Sequence, residues 1–254
     1  MRRARPARPV PSPFVAPESS APAPARNGIV SFAQRGERMT VGQQRAWDTH
    51  WARLGREVTA LPDGPLDLAG WFGREAPVLL EIGSGMGETT AALAKAAPEL
   101  NYLAVEVYRP GLAQLMMRAQ SMDIGNLRLA RGDAVVLLRE HIPADFLSGA
   151  RIFFPDPWPK KRHHKRRLVH PEFVTLLAGR LAPGGRLHLA TDVEDYAEQM
   201  MAVCSAEPLL RNVYADEPAG WAPRPDWRPV TKFENRARDE GRISHDLIFE
   251  RVAD

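Results

Sequence analysis

From Val78 onward the chain alternates short apolar runs with longer amphipathic ones, and this rhythm limits the possible folds more than any other feature. The runs PVLLEIG, NYLAVEVY, NLRLARG, ARIFFPD and RLHLATD have the composition of buried strands. Between them lie stretches of helical period: ETTAALAKAAPEL, RPGLAQLMMRAQSM, AVVLLREHI and HPEFVTLLAGRLAPGG, the last expected to stop at its proline and two glycines. Parallel strands need crossover connections, so the alternation predicts an α/β protein with a mostly parallel central sheet wrapped by helices. The final HDLIFERV reads as one more strand, paired against its neighbours. In open sheets of this kind ligands bind beyond the carboxyl ends of the strands, and Gly83, Glu106, Asp133, Asp156 and Asp192 fall at those ends.

The beginning of the chain differs in kind. Residues 1–30 are rich in Pro, Ala, Arg and Ser and offer too little apolar surface to offset ordering, so they are expected to form a disordered tail ahead of a single domain, residues 31–254. Seven prolines before Ala25 argue against the amphipathic helix of an organelle transit peptide, and the apolar segment of a secretory signal is missing. Arg2, Arg3, Arg5, Arg8 and Arg26 against Glu18 give the tail a net +4, which leaves −1 for the rest of a chain whose total is +3. Basicity in the remainder is therefore local, gathered between Lys160 and Arg167. No apolar run approaches the roughly 18 residues of a membrane span. Cys204 is the sole cysteine, which excludes a disulfide framework and a cysteine-based zinc site and suits a reducing, cytoplasmic setting.

The segment EIGSGMGETT places Gly83, Gly85 and Gly87 between a strand and a helix, where glycine permits a tight turn and close approach of a ligand to the backbone. Its spacing puts Glu88 where a dinucleotide fingerprint has its last glycine, which disfavours a pyrophosphate. Glu81, in a buried strand, needs a cationic or hydrogen-bonding partner. Glu106 ends the next strand, where such folds grip ribose hydroxyls, and Asp133 ends the third, placed to meet an adenine amino group. Three carboxylates suit an adenosyl group bearing a cationic centre better than a polyphosphate, which points to S-adenosylmethionine.

The fourth strand leads into FFPDPWPKKRHHKRR. Pro155 and Pro157 restrict the backbone on both sides of Asp156 and so hold one acid in place. Trp158 offers a flat face for a base, and the run from Lys160 to Arg167 supplies a positive field for phosphates. Basic runs are often solvated surface or localisation signals; this one starts just past a strand end, where cofactor and substrate should meet. His163 and His164 belong to the phosphate-facing surface, because no His or Cys at ligand spacing completes a metal site.

FFPDPW followed by KKRHHKRR, with EIGSGMG upstream and RPVTKFENR downstream, resembles the bacterial tRNA (guanine-N7-)-methyltransferases, which methylate a guanine in the tRNA variable loop. The resemblance runs from about Ser31, through SFAQRGERMTVGQQRA, to the end of the chain. It implies a Rossmann-like class I methyltransferase fold with an antiparallel C-terminal strand, S-adenosylmethionine as methyl donor, tRNA as partner, and a monomer or homodimer without an obligate protein partner. It also implies that Glu81, Gly83, Gly85, Gly87, Glu106, Asp133, Ala134 and Asp156 bind the cofactor, Asp156 being the catalytic residue as well. Lys160, Asp192, Thr231, Lys232, Phe233 and Glu234 correspond to substrate-binding positions, and Arg162, His163, His164, Lys165, Arg166 and Arg167 to the RNA-contacting stretch.

Guanine N7 carries an in-plane lone pair and no proton at neutral pH, so its attack on a sulfonium methyl calls for positioning and not for a base. Choice of guanine over adenine would follow from a carboxylate accepting the N1–H and amino protons, with Asp192 or Glu234 as candidates. On the residues alone, TKFE could equally begin a charged strand with Phe233 in the core, and Asp192 could cap the helix that follows. Two other functions share the motifs: methylation of an exocyclic amino group, since D-P-W is similar to the acidic-proline-aromatic motif of such enzymes, and a non-catalytic RNA-binding module with a dead cofactor pocket. Intact Glu81, Glu106, Asp133 and Asp156 argue against the second.

Overall fold

The computed structural model describes residues 31–32, 36–230 and 232–253, so the expected tail lies outside the described residues. Thr40 and Gln43 cap each other reciprocally at the start of α1 (Val41–Leu54). The chain then passes through β1 (Gly55–Glu57) and α2 (Leu68–Phe72) into the expected alternation. This comprises β2 (Val78–Ile82), α3 (Glu88–Ala96), β3 (Asn101–Glu106), α4 (Arg109–Ser121), β4 (Leu127–Arg131), α5 (Ala134–Glu140), β5 (Leu147–Phe153), α6 (Pro171–Ala178) and β6 (Leu181–Thr191). α7 (Glu194–Ser205), β7 (Leu210–Asn212), α8 (Lys232–Asp239) and β8 (His245–Arg251) complete it.

The strands form one sheet in the order β1-β4-β3-β2-β5-β6-β8-β7. All pairs from β1 to β6 are parallel, and β8 lies antiparallel between β6 and β7. β2 has β3 on one side and β5 on the other, so the direction of winding reverses there and a crevice opens beyond the strand ends. Alternate side chains feed opposite faces. Leu80, Ile82, Leu103 and Val105 pack with Phe72, Leu137, Phe173 and Tyr196, while Leu79, Tyr102 and Ala104 pack with Trp47, Leu93, Leu112 and Leu115. Burial on both faces is why these strands show as unbroken apolar runs.

One boundary departs from the sequence expectation. The helix expected to run to Gly185 ends at Ala178, and LAPGG belongs to β6. Leu181 pairs with Leu147 and Arg186 with Gly149, so β6 bulges against β5. A Cβ at Gly185 would lie 2.8 Å from the Ala182 carbonyl oxygen and 2.9 Å from that of Leu147. These glycines shape a bulged strand instead of stopping a helix.

A second glycine joins the fold to the site. A Cβ on Gly111 of α4 would lie 2.1 Å from the carbonyl oxygen of Gly85, so only glycine lets this helix seat against the turn after β2. Gly111→Ala should therefore cost about 1–3 kcal/mol of stability through overpacking. Urea unfolding would show it as a lower midpoint at unchanged slope.

Candidate active site

The turn between β2 and α3 holds Gly83, Gly85 and Gly87 at φ of 82°, 55° and 73°, a left-handed conformation that favours glycine. Around Gly83 and Gly85 the place of a Cβ is open space, and both residues line a cleft of about 930 Å³ at the carboxyl ends of the strands. This is the upper end of the usual range for ligand pockets, enough for a nucleoside-sized molecule and part of a second ligand. Glu81, Gly87, Glu106, Asp133, Ala134, Phe153, Phe154, Pro155, Asp156, Pro157 and Asp192 line the same cleft. The glycine turn and the proline-bracketed acid therefore converge.

Each acid is held differently. The Glu106 carboxylate accepts the N–H of Gly85 through Oε2 at 2.9 Å and those of Val107 and Tyr108 through Oε1 at 2.7 and 2.9 Å. It thereby ties the glycine turn to the turn after β3. Asp133 caps α5, accepting the Val135 N–H at 2.9 Å. Glu81 is buried; its Oε1 accepts from the Thr90 hydroxyl at 2.8 Å, whereas its Oε2 has no hydrogen-bond partner among the described residues. Burial pushes the Glu81 carboxyl up to about 7, against the opposing pull of Thr90 and Arg151. Asp192 lies 3.2 Å from the Arg242 guanidinium and does not cap α7, whose first turn uses no side-chain cap.

The basic segment divides. Lys160, Lys161, Arg162 and Lys165 are exposed along a 3-10 turn, Lys161–Arg166, with His163, His164 and Arg166 half-buried. Arg167, expected to contact RNA, is buried instead. It donates to the Pro157 carbonyl at 2.9 Å, to Gln199 Oε1 at 2.9 Å and to Asp195 Oδ2 at 2.7 Å, fastening the loop after Asp156 onto α7. The Trp158 face expected to receive a base carries the Arg166 guanidinium 3.7 Å from the ring centroid, and its indole N–H donates to the Ser31 carbonyl at 3.0 Å.

Glu234, a candidate for reading guanine, is fully buried between Arg224 and Arg228 and does not reach the cleft lining. Lys232 and Phe233 open a helix and not a strand, and Thr231 lies outside the described residues. Sequence reasoning passed over Tyr108, Gln114 and Arg118 on the α4 side, Ser31 and Phe32, and Arg236, Glu240 and Arg242 on the α8 side, all of which line the cleft. Gln114 and Arg118 stand one helical turn apart, a spacing that could have marked α4's inner face. Nothing local marks the α8 set.

A doubly wound sheet with a glycine turn at its switch point and carboxylates at three successive strand ends is the class I methyltransferase arrangement. A family model described as "Putative methyltransferase" matches residues 75–247. The tRNA (guanine-N(7)-)-methyltransferase of Streptomyces coelicolor is 50% identical over 226 residues, 88% of this chain and 81% of that protein. The Bordetella parapertussis protein of that name is 50% identical over 235 residues, 92% of this chain and 90% of its own length, and the Nocardia farcinica protein 50% over 232 residues, 88% and 84%. The chain belongs to the tRNA (guanine-N(7)-)-methyltransferase family.

Glu81 gives the site a measurable pH signature. Its carboxyl holds a proton up to about pH 7 in the folded protein, against 4.5 ordinarily. Between those values the folded state binds more protons than the unfolded one. Stability should therefore fall as pH rises through that window, by about 3 kcal/mol, and stay lower above it. Unfolding by urea at pH 5 and pH 8 should show the drop, and Glu81→Gln should flatten it.

Proposed function

We propose that this chain transfers the methyl group of S-adenosylmethionine to N7 of a guanine in tRNA, at the cleft between the glycine turn and Asp156. The observation that carries the reading is that these two segments line one cavity with the exposed cations of the basic turn beyond its rim. S-adenosylmethionine, when bound, supplies a methyl group on a sulfonium sulfur. The residues present fit it. The unpartnered Glu81 Oε2 would accept from its ammonium group, Glu106 has lone pairs left for ribose hydroxyls after accepting three N–H groups, and Asp133 with Ala134 stands where an adenine edge would rest. Open space over Gly83 and Gly85 leaves room for the nucleoside against the backbone.

The rest of the chemistry falls to the substrate side. Asp156 faces a base that gains positive charge as N7 forms its new bond, so a fixed carboxylate there favours the transition state over the ground state. Asp192, at the cleft wall and oriented by Arg242, is the acceptor for the guanine N1–H and amino protons. Lys160 and the exposed cations of the basic turn hold phosphates. A tRNA substrate favours work in the cytoplasm, and the protein would act there as a monomer or a homodimer.

Incubation with labelled S-adenosylmethionine and unmodified tRNA should yield a methylated guanine whose glycosidic site is alkali-labile, which an exocyclic N-methyl product is not. Asp156→Ala should lower turnover about a hundredfold or more with tRNA affinity nearly unchanged; undiminished turnover removes the catalytic assignment. Replacing Lys161, Arg162 and Lys165 by alanine should weaken tRNA binding and reduce its salt slope by roughly 0.7–0.9 per lost phosphate contact. An unaltered slope in filter binding would show that the turn does not hold the RNA.

A further inference from the structure

Five polar side chains meet beneath the α8 side of the cleft. The Arg228 guanidinium, with 1% of its side chain exposed, lies 3.1 Å from Glu234 Oε2 and 2.8 Å from Asp246 Oδ2. Arg224 approaches Glu234 Oε1 at 2.6 Å, and His188 Nε2 lies 2.7 Å from Asp246 Oδ1. Two guanidinium groups thus balance two carboxylates. Burial holds His188 below its ordinary range against the pull of Asp246, and its ring nitrogen completes the cluster.

What this cluster touches gives it a role. Glu234 lies in the first turn of α8, the helix that carries Arg236 and leads directly into Glu240 and Arg242 at the cleft, and Arg242 in turn orients Asp192. Asp246 and His188 belong to β8 and β6. The Arg228 guanidinium also covers Phe153 and Phe154, at 5.6 and 5.4 Å from their ring centroids, the two residues that lead into Pro155 and Asp156. A single planar cation therefore contacts both the helix behind the guanine-reading wall and the step that presents the catalytic acid.

We propose that Arg228 is a positioning residue for methyl transfer, setting α8 and the Phe153–Phe154 step relative to each other through Glu234 and Asp246. The proposal rests on the functional reading above and gives Glu234 a role behind the substrate wall in place of contact with the base. A lysine keeps the charge but has one nitrogen, and it offers no planar face to the phenyl rings. Arg228→Lys should lower kcat for tRNA methylation by about tenfold or more, while S-adenosylmethionine binds within about twofold of the native protein by calorimetry, because the carboxylates proposed to hold it stand on β2, on β3 and at the start of α5.

Retained kcat overturns the proposal. So does a rise in KM for tRNA alone, which would mark ordinary binding, and so does loss of cofactor affinity in step with kcat, which would mark general loosening. Should Arg228→Lys fail to fold, Glu234→Gln, which keeps the shape and drops the charge, is judged by the same split. The native protein run alongside separates the two claims. If it does not methylate tRNA at guanine N7, the functional reading falls; if it does and the variant matches it, only the positioning role falls.

Discussion

One carboxylate organises this site. Glu106, at the end of β3, accepts three backbone N–H groups from two different loops. Hydrogen bonds to a charged acceptor contribute about 1.5–3 kcal/mol each, so the set pins Gly85, the middle of three glycines at positive φ, to the turn after β3. Gly111 presses on the same turn from α4. The conformation that opens the cleft is therefore imposed from both sides by the chain's own contacts.

Charge is sorted around this frame. Acids line the cleft, where a sulfonium or a methylated purine would carry positive charge; the arginines that also line it, Arg118, Arg236 and Arg242, are each paired with a carboxylate, and the cations of the basic turn sit outside it. Had the basic run pointed inward, it would have neutralised Asp156 and repelled a cationic donor. Arg167 shows how the separation is kept. It is the one arginine of the run turned wholly inward, and its partners are a backbone carbonyl, Gln199 and Asp195 on α7, none of them a cleft acid.

The parts of the fold that were legible in the sequence are those set by short-range pattern. Strands buried on both faces must be apolar throughout, so β2 to β6 announced themselves, and the glycines after β2 followed from where the strand had to turn. Arg167 and Glu234 were not legible, because a charged residue in a charged neighbourhood looks solvated. Their burial depends on Asp195 and Gln199 from α7 in one case and on Arg224 and Arg228 in the other. The proline and glycines before β6 misled for a related reason: the same residues stop a helix or shape a bulge, and the Leu147 pairing that decides between them is more than thirty positions away.

The Asp156 loop bears a further mark of being preset. Phe154 and Trp158, on either side of Pro155-Asp156-Pro157, take φ of 50° and 45°, values that cost roughly 1–3 kcal/mol each for such residues. Backbone of this kind persists only when its surroundings over-determine it. Here they do: Arg228 covers Phe154, Arg166 stacks on Trp158 while Ser31 takes its N–H, and Arg167 grips the Pro157 carbonyl. A reaction whose nucleophile needs no deprotonation gains most from geometry. A loop strained into one conformation and fastened at both ends supplies that geometry without waiting for the substrate to create it.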